Sequence, residues 1–124
     1  MSQTEVVFNG NCHCGKVSWK YRGLPEQLTD CNCSICSRLA PLWGQADAED
    51  ITIHGEEHTL TYLWASKSIA FHSCKHCGCT THWKSNVPEQ FNRASVNFRL
   101  CAVNEYQHLR IRKFDGVDTW TFLD

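Results

Sequence analysis

Hydrophobic and polar positions alternate with a period of two along much of this chain. Val17, Trp19 and Tyr21 fall on one side of residues 16–22, and Lys16, Ser18, Lys20 and Arg22 on the other. That is the pattern of a strand with one buried face. Gly23 and Pro25 end it. The same reasoning predicts short strands over 51–53, 60–64, 68–73, 80–84, 95–100 and 109–114. Gly55 marks one turn, and Asp115-Gly116 marks another before Trp120 and Phe122. Helical signals are weak. Residues 34–39 read as one short turn with Ser34 as its cap just after Cys33, and 88–91 as an irregular turn. No internal repeat, low-complexity segment or linker breaks the pattern. The expectation is a mainly β chain forming one domain over residues 1–124.

Charge excludes several function classes. Twelve Lys+Arg face 13 Asp+Glu, for a net charge of −1 with His neutral, so no basic excess points to nucleic acid or an anionic membrane. Arg110 and Arg112 alternate with Leu109 and Ile111, which reads as the solvated side of a half-buried sheet. No apolar run approaches the roughly 20 residues of a bilayer span. The start, MSQTEVVF, lacks the basic and apolar regions of an export signal. The expected setting is the cytoplasm, with neither nucleic acid nor membrane as partner. Trp19, Trp64 and Trp83 are expected in the core.

Cysteine changes the picture most. There are nine in 124 residues, an odd number, without an export signal and in tight groups, which points to metal rather than disulfides. The groups are Cys12/Cys14, Cys31/Cys33/Cys36 and Cys74/Cys77/Cys79, with Cys101 alone. Zinc takes thiolates at about 2.3 Å, so its ligand sulfurs must lie within roughly 4 Å of one another. Cys74-Lys75-His76-Cys77-Gly78 can wrap one tight turn, and Cys12-His13-Cys14-Gly15 another at a strand start, each supplying half a tetrahedron. Together they read as one closed, four-cysteine structural zinc site.

Cys31, Cys33 and Cys36 remain, three thiols with no obvious fourth ligand. That describes an open zinc site completed by substrate or water. Three thiolates on Zn²⁺ leave a local charge of −1, which suits holding a fourth thiolate as nucleophile better than ionising water. A wholly structural second site closed by a His, and an iron–sulfur centre on the same thiols, are the alternatives at this point. His13 and His76 are expected to face solvent. His54, His58, His72, His82 and His108 carry no spacing signature and are expected at the surface or half-buried. Cys79 reads as a small inward-facing strand residue, and Cys101 as a buried thiol.

Asn11-Cys12-His13-Cys14-Gly15-Lys16-Val17, Cys31-Asn32-Cys33-Ser34-Ile35-Cys36, Cys74-Lys75-His76-Cys77-Gly78 and Phe114-Asp115-Gly116 with Trp120 resemble, in order and spacing, the glutathione-dependent formaldehyde-activating enzyme family. That family includes the S-(hydroxymethyl)glutathione synthases and the centromere protein V relatives. The resemblance implies an Mss4-like fold of twisted antiparallel sheets with zinc knuckles. It implies a structural zinc on Cys12, Cys14, Cys74 and Cys77, and a catalytic zinc on Cys31, Cys33 and Cys36; a three-thiolate site is expected to be the more labile of the two. The implied reaction is condensation of glutathione with formaldehyde, a carbon–sulfur lyase running in reverse on a small thiol adduct. The family pattern places Arg directly after the third catalytic-group thiol; here Ser37 intervenes, and Arg38 is the candidate anchor for a substrate carboxylate. The competing function is a non-catalytic, zinc-stabilised module that binds a protein partner.

Overall fold

The structure is a computed structural model that describes residues 6–64 and 67–123. Residues 1–5, 65, 66 and 124 lie outside the described residues, and most of the segment read above for an export signal lies with them. The elements are β1 Val7–Asn11, β2 Ser18–Arg22, β3 Leu28–Cys31, α1 Cys36–Leu39, β4 Trp43–Asp47, β5 Ile51–His54, β6 Thr59–Trp64, β7 Ile69–Cys74, β8 Thr80–Ser85, β9 Arg93–Asn97, α2 Val103–Tyr106, β10 Ile111–Asp115 and β11 Thr121–Phe122. Single 3-10 turns occupy 48–50, 56–58 and 98–100.

The strands form two twisted, largely antiparallel sheets, the mainly β architecture expected from the alternation. A small sheet runs β1-β2-β5, and a large one runs β11-β10-β3-β4-β9-β8-β7-β6. Among the described residues every pairing is antiparallel except β10 with β3, which is parallel and aligns Phe114 with Cys31. That pairing carries a late segment of the chain back beside an early one.

Phe98 joins the sheets. Its ring centroid lies 5.2 Å from Phe8, 5.1 Å from Trp19 and 5.3 Å from Tyr21, all from the small sheet. Two glycines let the chain pass close to these rings. A Cβ on Gly44 would meet Phe98 at 2.3 Å, and one on Gly10 would meet Trp19 at 2.4 Å. Leu28, Leu42 and Val96 complete this core, each buried apolar side chain stabilising by roughly 1.5–3 kcal/mol.

Several boundaries differ from the sequence expectation, for local reasons. β2 starts at Ser18 because the Val17 N–H turns to the Cys12 sulfur, 3.3 Å away. β9 stops at Asn97, whose side-chain oxygen accepts from Arg99 N and Leu42 N and turns the chain into the 98–100 turn. Ser34 is not the cap of α1: the capping position is Ile35 without a side-chain bond, and Ser34 contributes its carbonyl to Arg38 and Ser37. The alternation in β10 is the reverse of that expected. Ile111 is exposed, and Arg112 is half-buried with its guanidinium 4.0 Å above the Phe122 ring. Trp19 and Trp83 are buried as expected, whereas Trp64 is 37% exposed on the edge strand.

Candidate metal centres and the aromatic cleft

The first thiol cluster is built from two similar turns. β1 ends at Asn11, and Gly15 N closes back to Cys12 O at 3.0 Å with Gly15 at φ +83°. β7 ends at Cys74, and Gly78 N closes back to Cys74 O at 2.8 Å with Gly78 at φ +84°. In each turn a left-handed residue, free of strain only as glycine, brings the chain around the sulfurs. Cys12 Sγ lies 3.6 Å from Cys14 Sγ, which lies 3.6 Å from Cys74 Sγ. Thiolates at about 2.3 Å on a tetrahedral zinc stand about 3.8 Å apart, so the donor set fits that ion. The N–H groups of Val17 and His76 donate to Cys12 and Cys74. Cys79 N–H, followed by Cys14 N–H, holds the Cys77 thiol down at about 5. Cys12 and Cys74 are buried against Val17, while Cys77 is half-buried and Cys14 is exposed.

The second cluster sits where β3 runs into α1. Cys31 ends the strand and Cys36 starts the helix. The N–H groups of Cys33 and Cys36 point at the sulfurs of Cys31 and Cys33, each at 3.5 Å. All three sulfurs lie within 4.8 Å of one another, and no fourth His, Cys, Asp or Glu donor joins them among the described residues. The three thiols share protons unequally. A hydrogen bond from the Cys36 thiol, aided by the N–H groups of Cys33 and Gly116, draws Cys31 down to about 6. Cys36 is driven up by the same contact and by burial.

The Asp115-Gly116 turn presses directly on this cluster. Asn32, between two of the thiols, donates to Asp115 Oδ1 at 3.0 Å and accepts from Val117 N at 3.1 Å. Asp115 in turn holds Thr119 through its other oxygen. A Cβ on Gly116 would stand 2.9 Å from Cys31 Sγ. Above the thiols opens a cleft of about 700 Å³ walled by Trp43, Trp64, Phe71, Trp83, Phe114 and Trp120, with Cys31, Cys33 and Cys36 on its lining. That volume is in the range of small-molecule sites. A second cleft of about 530 Å³, lined by Arg22, Asp47 and Arg93 among others, contains none of the nine cysteines.

A family model described as glutathione-dependent formaldehyde-activating enzyme matches residues 7–112. The chain belongs to that family. A curated relative from Halomonas elongata carries the same family name and is 36% identical over 63 residues, 46% of this chain and 40% of that protein. The chain thus aligns with less than half the length of that relative. In fold it is similar to a crystal structure of a Rhodobacter sphaeroides protein, at a TM-score of 0.68 and 22% identity, covering 83% of this chain and 98% of that one.

The remaining residues of interest in this member of the family distribute unevenly. Arg38 is exposed, and its Nη1 donates to the Ser34 carbonyl at 2.7 Å. It does not itself line the cleft, but Ser34 does. His13 and His76 are exposed and stand outside the four-thiol group. Cys79 is half-buried against Cys12, Val17 and Cys74. Cys101 is buried, its Sγ donating to Asn9 O at 3.3 Å, and burial pushes it up to about 12. His82 departs from expectation, being fully buried and bonded to Glu56. It forms with Glu56 and His72 a third donor group. No spacing signal could have revealed it, because pairing of β7 with β8 sets His72 opposite His82.

No helix among the described residues is long and apolar enough to cross a membrane.

Proposed function

We propose that this protein is a zinc-dependent carbon–sulfur lyase of the synthase type, joining glutathione to formaldehyde as S-hydroxymethylglutathione in the cytoplasm. The observation that carries the reading is the three-thiol cluster, incomplete as a tetrahedral donor set and opening into an aromatic cleft. Cys12, Cys14, Cys74 and Cys77 hold a structural zinc, and Cys31, Cys33 and Cys36 a catalytic and more labile one. When bound at the open site, zinc supplies the lowered thiol pKa that makes a coordinating thiol nucleophilic near neutral pH.

The chain's own residues do the rest. The Trp43 indole N–H, 3.3 Å from Cys36 Sγ, spreads charge off the sulfur cluster. The aromatic walls of the cleft exclude water from a reactive aldehyde. Arg38, which rests on the rim residue Ser34, swings to a glutathione carboxylate. In the reaction the glutathione sulfur loses its proton and forms the new bond to the formaldehyde carbon. The carbonyl π pair moves to oxygen, which takes up a proton to give the hydroxymethyl group.

A second reading, a zinc-stabilised protein-interaction module, draws on one observation: the edge strand β6 exposes Leu60, Tyr62, Leu63 and Trp64. One experiment separates the two. Exchange between formaldehyde, glutathione and their adduct is followed by NMR with the zinc-loaded protein and with Cys33→Ser. The enzyme accelerates exchange over the spontaneous rate and the variant does not. An unaltered background rate removes formaldehyde as substrate.

A further inference from the structure

Glu56, His72 and His82 converge on the far side of the large sheet from the cleft. Phe71 and Trp83 are cross-strand partners lining the cleft. Their neighbours His72 and His82 are the next cross-strand pair, and successive strand residues face opposite sides. The two imidazoles are stacked, with centroids 4.3 Å apart and planes 11° from parallel. Glu56, from the 56–58 turn, sends Oε2 to within 2.8 Å of His82 Nε2 and 4.0 Å of His72 Nε2. Its other oxygen is held by Lys84 Nζ at 3.2 Å. A β-bulge follows directly, where the register shifts between His72 and Ser73, a device that re-aims side chains at functional sites.

Hydrogen-bond accounting gives this cluster its meaning. Thr59 Oγ1 is 2.7 Å from Glu56 O and 2.9 Å from His72 Nδ1. Thr81 Oγ1 is 3.3 Å from His72 O and 2.7 Å from His82 Nδ1. A carbonyl can only accept, so all four contacts are satisfied together only when each hydroxyl donates to its carbonyl and accepts an N–H from Nδ1. In that arrangement both rings carry their proton on Nδ1 and turn a bare Nε2 lone pair toward the Glu56 carboxylate, whereas giving up the long 3.3 Å Thr81–His72 O contact lets His82 Nε2 donate to Glu56. In the first arrangement a bound cation supplies the positive bridge between the Nε2 lone pairs and the carboxylate oxygen 2.8 Å from His82. Burial disfavours a second proton on His82, which is fully enclosed.

We propose that Glu56 Oε2, His72 Nε2 and His82 Nε2 form a third metal site, taking a divalent transition-metal ion separately from both thiol clusters. The donor chemistry is that of a two-histidine, one-carboxylate site, suited to Zn²⁺, Co²⁺ or Fe²⁺ rather than to Ca²⁺ or Mg²⁺. The Thr59 and Thr81 hydroxyls act as the outer partners that fix tautomer and ring orientation around a bound ion. The donor atoms lie within 4.8 Å of one another, and movements of about an ångström bring them to zinc-ligand spacing. His82 is the buried floor, while half-buried His72 and Glu56 leave an entry for the ion and a solvent ligand.

The test uses the full chain with both thiol clusters filled by zinc, titrated with Co²⁺. The site takes up one equivalent with weak visible ligand-field bands, no sulfur-to-cobalt charge transfer, and two exchangeable, paramagnetically shifted imidazole N–H signals. Glu56→Gln, at a half-exposed position, weakens that binding at least tenfold, and His72→Gln abolishes it, while far-ultraviolet circular dichroism is unchanged. His82→Gln is not relied on, because it opens the core. Three results overturn the proposal: Co²⁺ entering only by displacing zinc from sulfur, Co²⁺ uptake unaltered in both variants, or nitrogen NMR with excess Zn²⁺ showing a proton still on His82 Nε2.

Discussion

Trp43 Nε1 donates to Cys36 Sγ at 3.3 Å, from a strand that pairs with the one ending in Cys31. The bond lowers a thiol that burial and the Cys31 contact otherwise raise. Trp43 is also packed tightly against Phe71 and Trp83. Trp43→Phe keeps most of the packing and removes only the donor. The expected outcome is roughly tenfold weaker metal binding at the three-thiol cluster, within the range for lost outer partners, and unchanged binding at the four-thiol cluster. Chelator competition on the variant reads both.

Gly116 sets how closely the Asp115 turn can approach the thiols. Gly116→Ala forces a Cβ to within 2.9 Å of Cys31 Sγ and 3.1 Å of Cys33 Cβ. Overpacking of this kind costs about 1–3 kcal/mol. Because it falls on the open cluster, the expectation is about tenfold or more lost metal affinity there, with little change in affinity at the four-thiol cluster. An equal loss at both clusters would show that the turn stabilises the fold rather than the site.

The four-thiol cluster ties the β1–β2 hairpin to the end of β7 through Cys12, Cys14, Cys74 and Cys77. Structural zinc sites of this type contribute on the order of 10 kcal/mol of folding free energy, which is comparable to a domain's whole stability. Stripping metal completely should therefore abolish the cooperative thermal transition. A sharp transition surviving demetallation would count against the anchoring role.

Cys101 gives the fold an alkaline limit. Its folded thiol is raised from 9.0 to about 12 by burial, so its stabilising effect is fully present below pH 9 and is lost as pH rises toward 12. Cys101→Ser keeps a donor for the Asn9 carbonyl and does not titrate in this range. Urea midpoints measured from pH 8 to 10.5 should fall less steeply in the variant than in the parent protein. Parallel slopes would mean that other groups set the limit.

The sequence made the β-rich fold and both thiol clusters legible because each rests on local pattern: alternation within a strand, or cysteines two or three residues apart. β1, β3 and β4 were not legible. β4 carries a glycine at 44 that alternation cannot explain, and its reason is the Phe98 ring against it. The parallel pairing of β3 with β10 was hidden as well, since it depends on a chain return that no short window reveals. The same is true of Asn32, which reads as a spacer between thiols yet clamps Asp115 and Val117. The Glu56, His72 and His82 group is scattered along the chain and exists only through cross-strand register.

Seven thiols gather into two unlike donor groups, one of four sulfurs and one of three. The direct measurement is zinc release from the full chain under chelator titration, for the parent protein and Cys33→Ser. Two sulfur-held ions are expected, one inert and one labile, with only the labile one lost in the variant. Two equally inert ions, or loss of both in Cys33→Ser while the fold persists, would contradict that expectation.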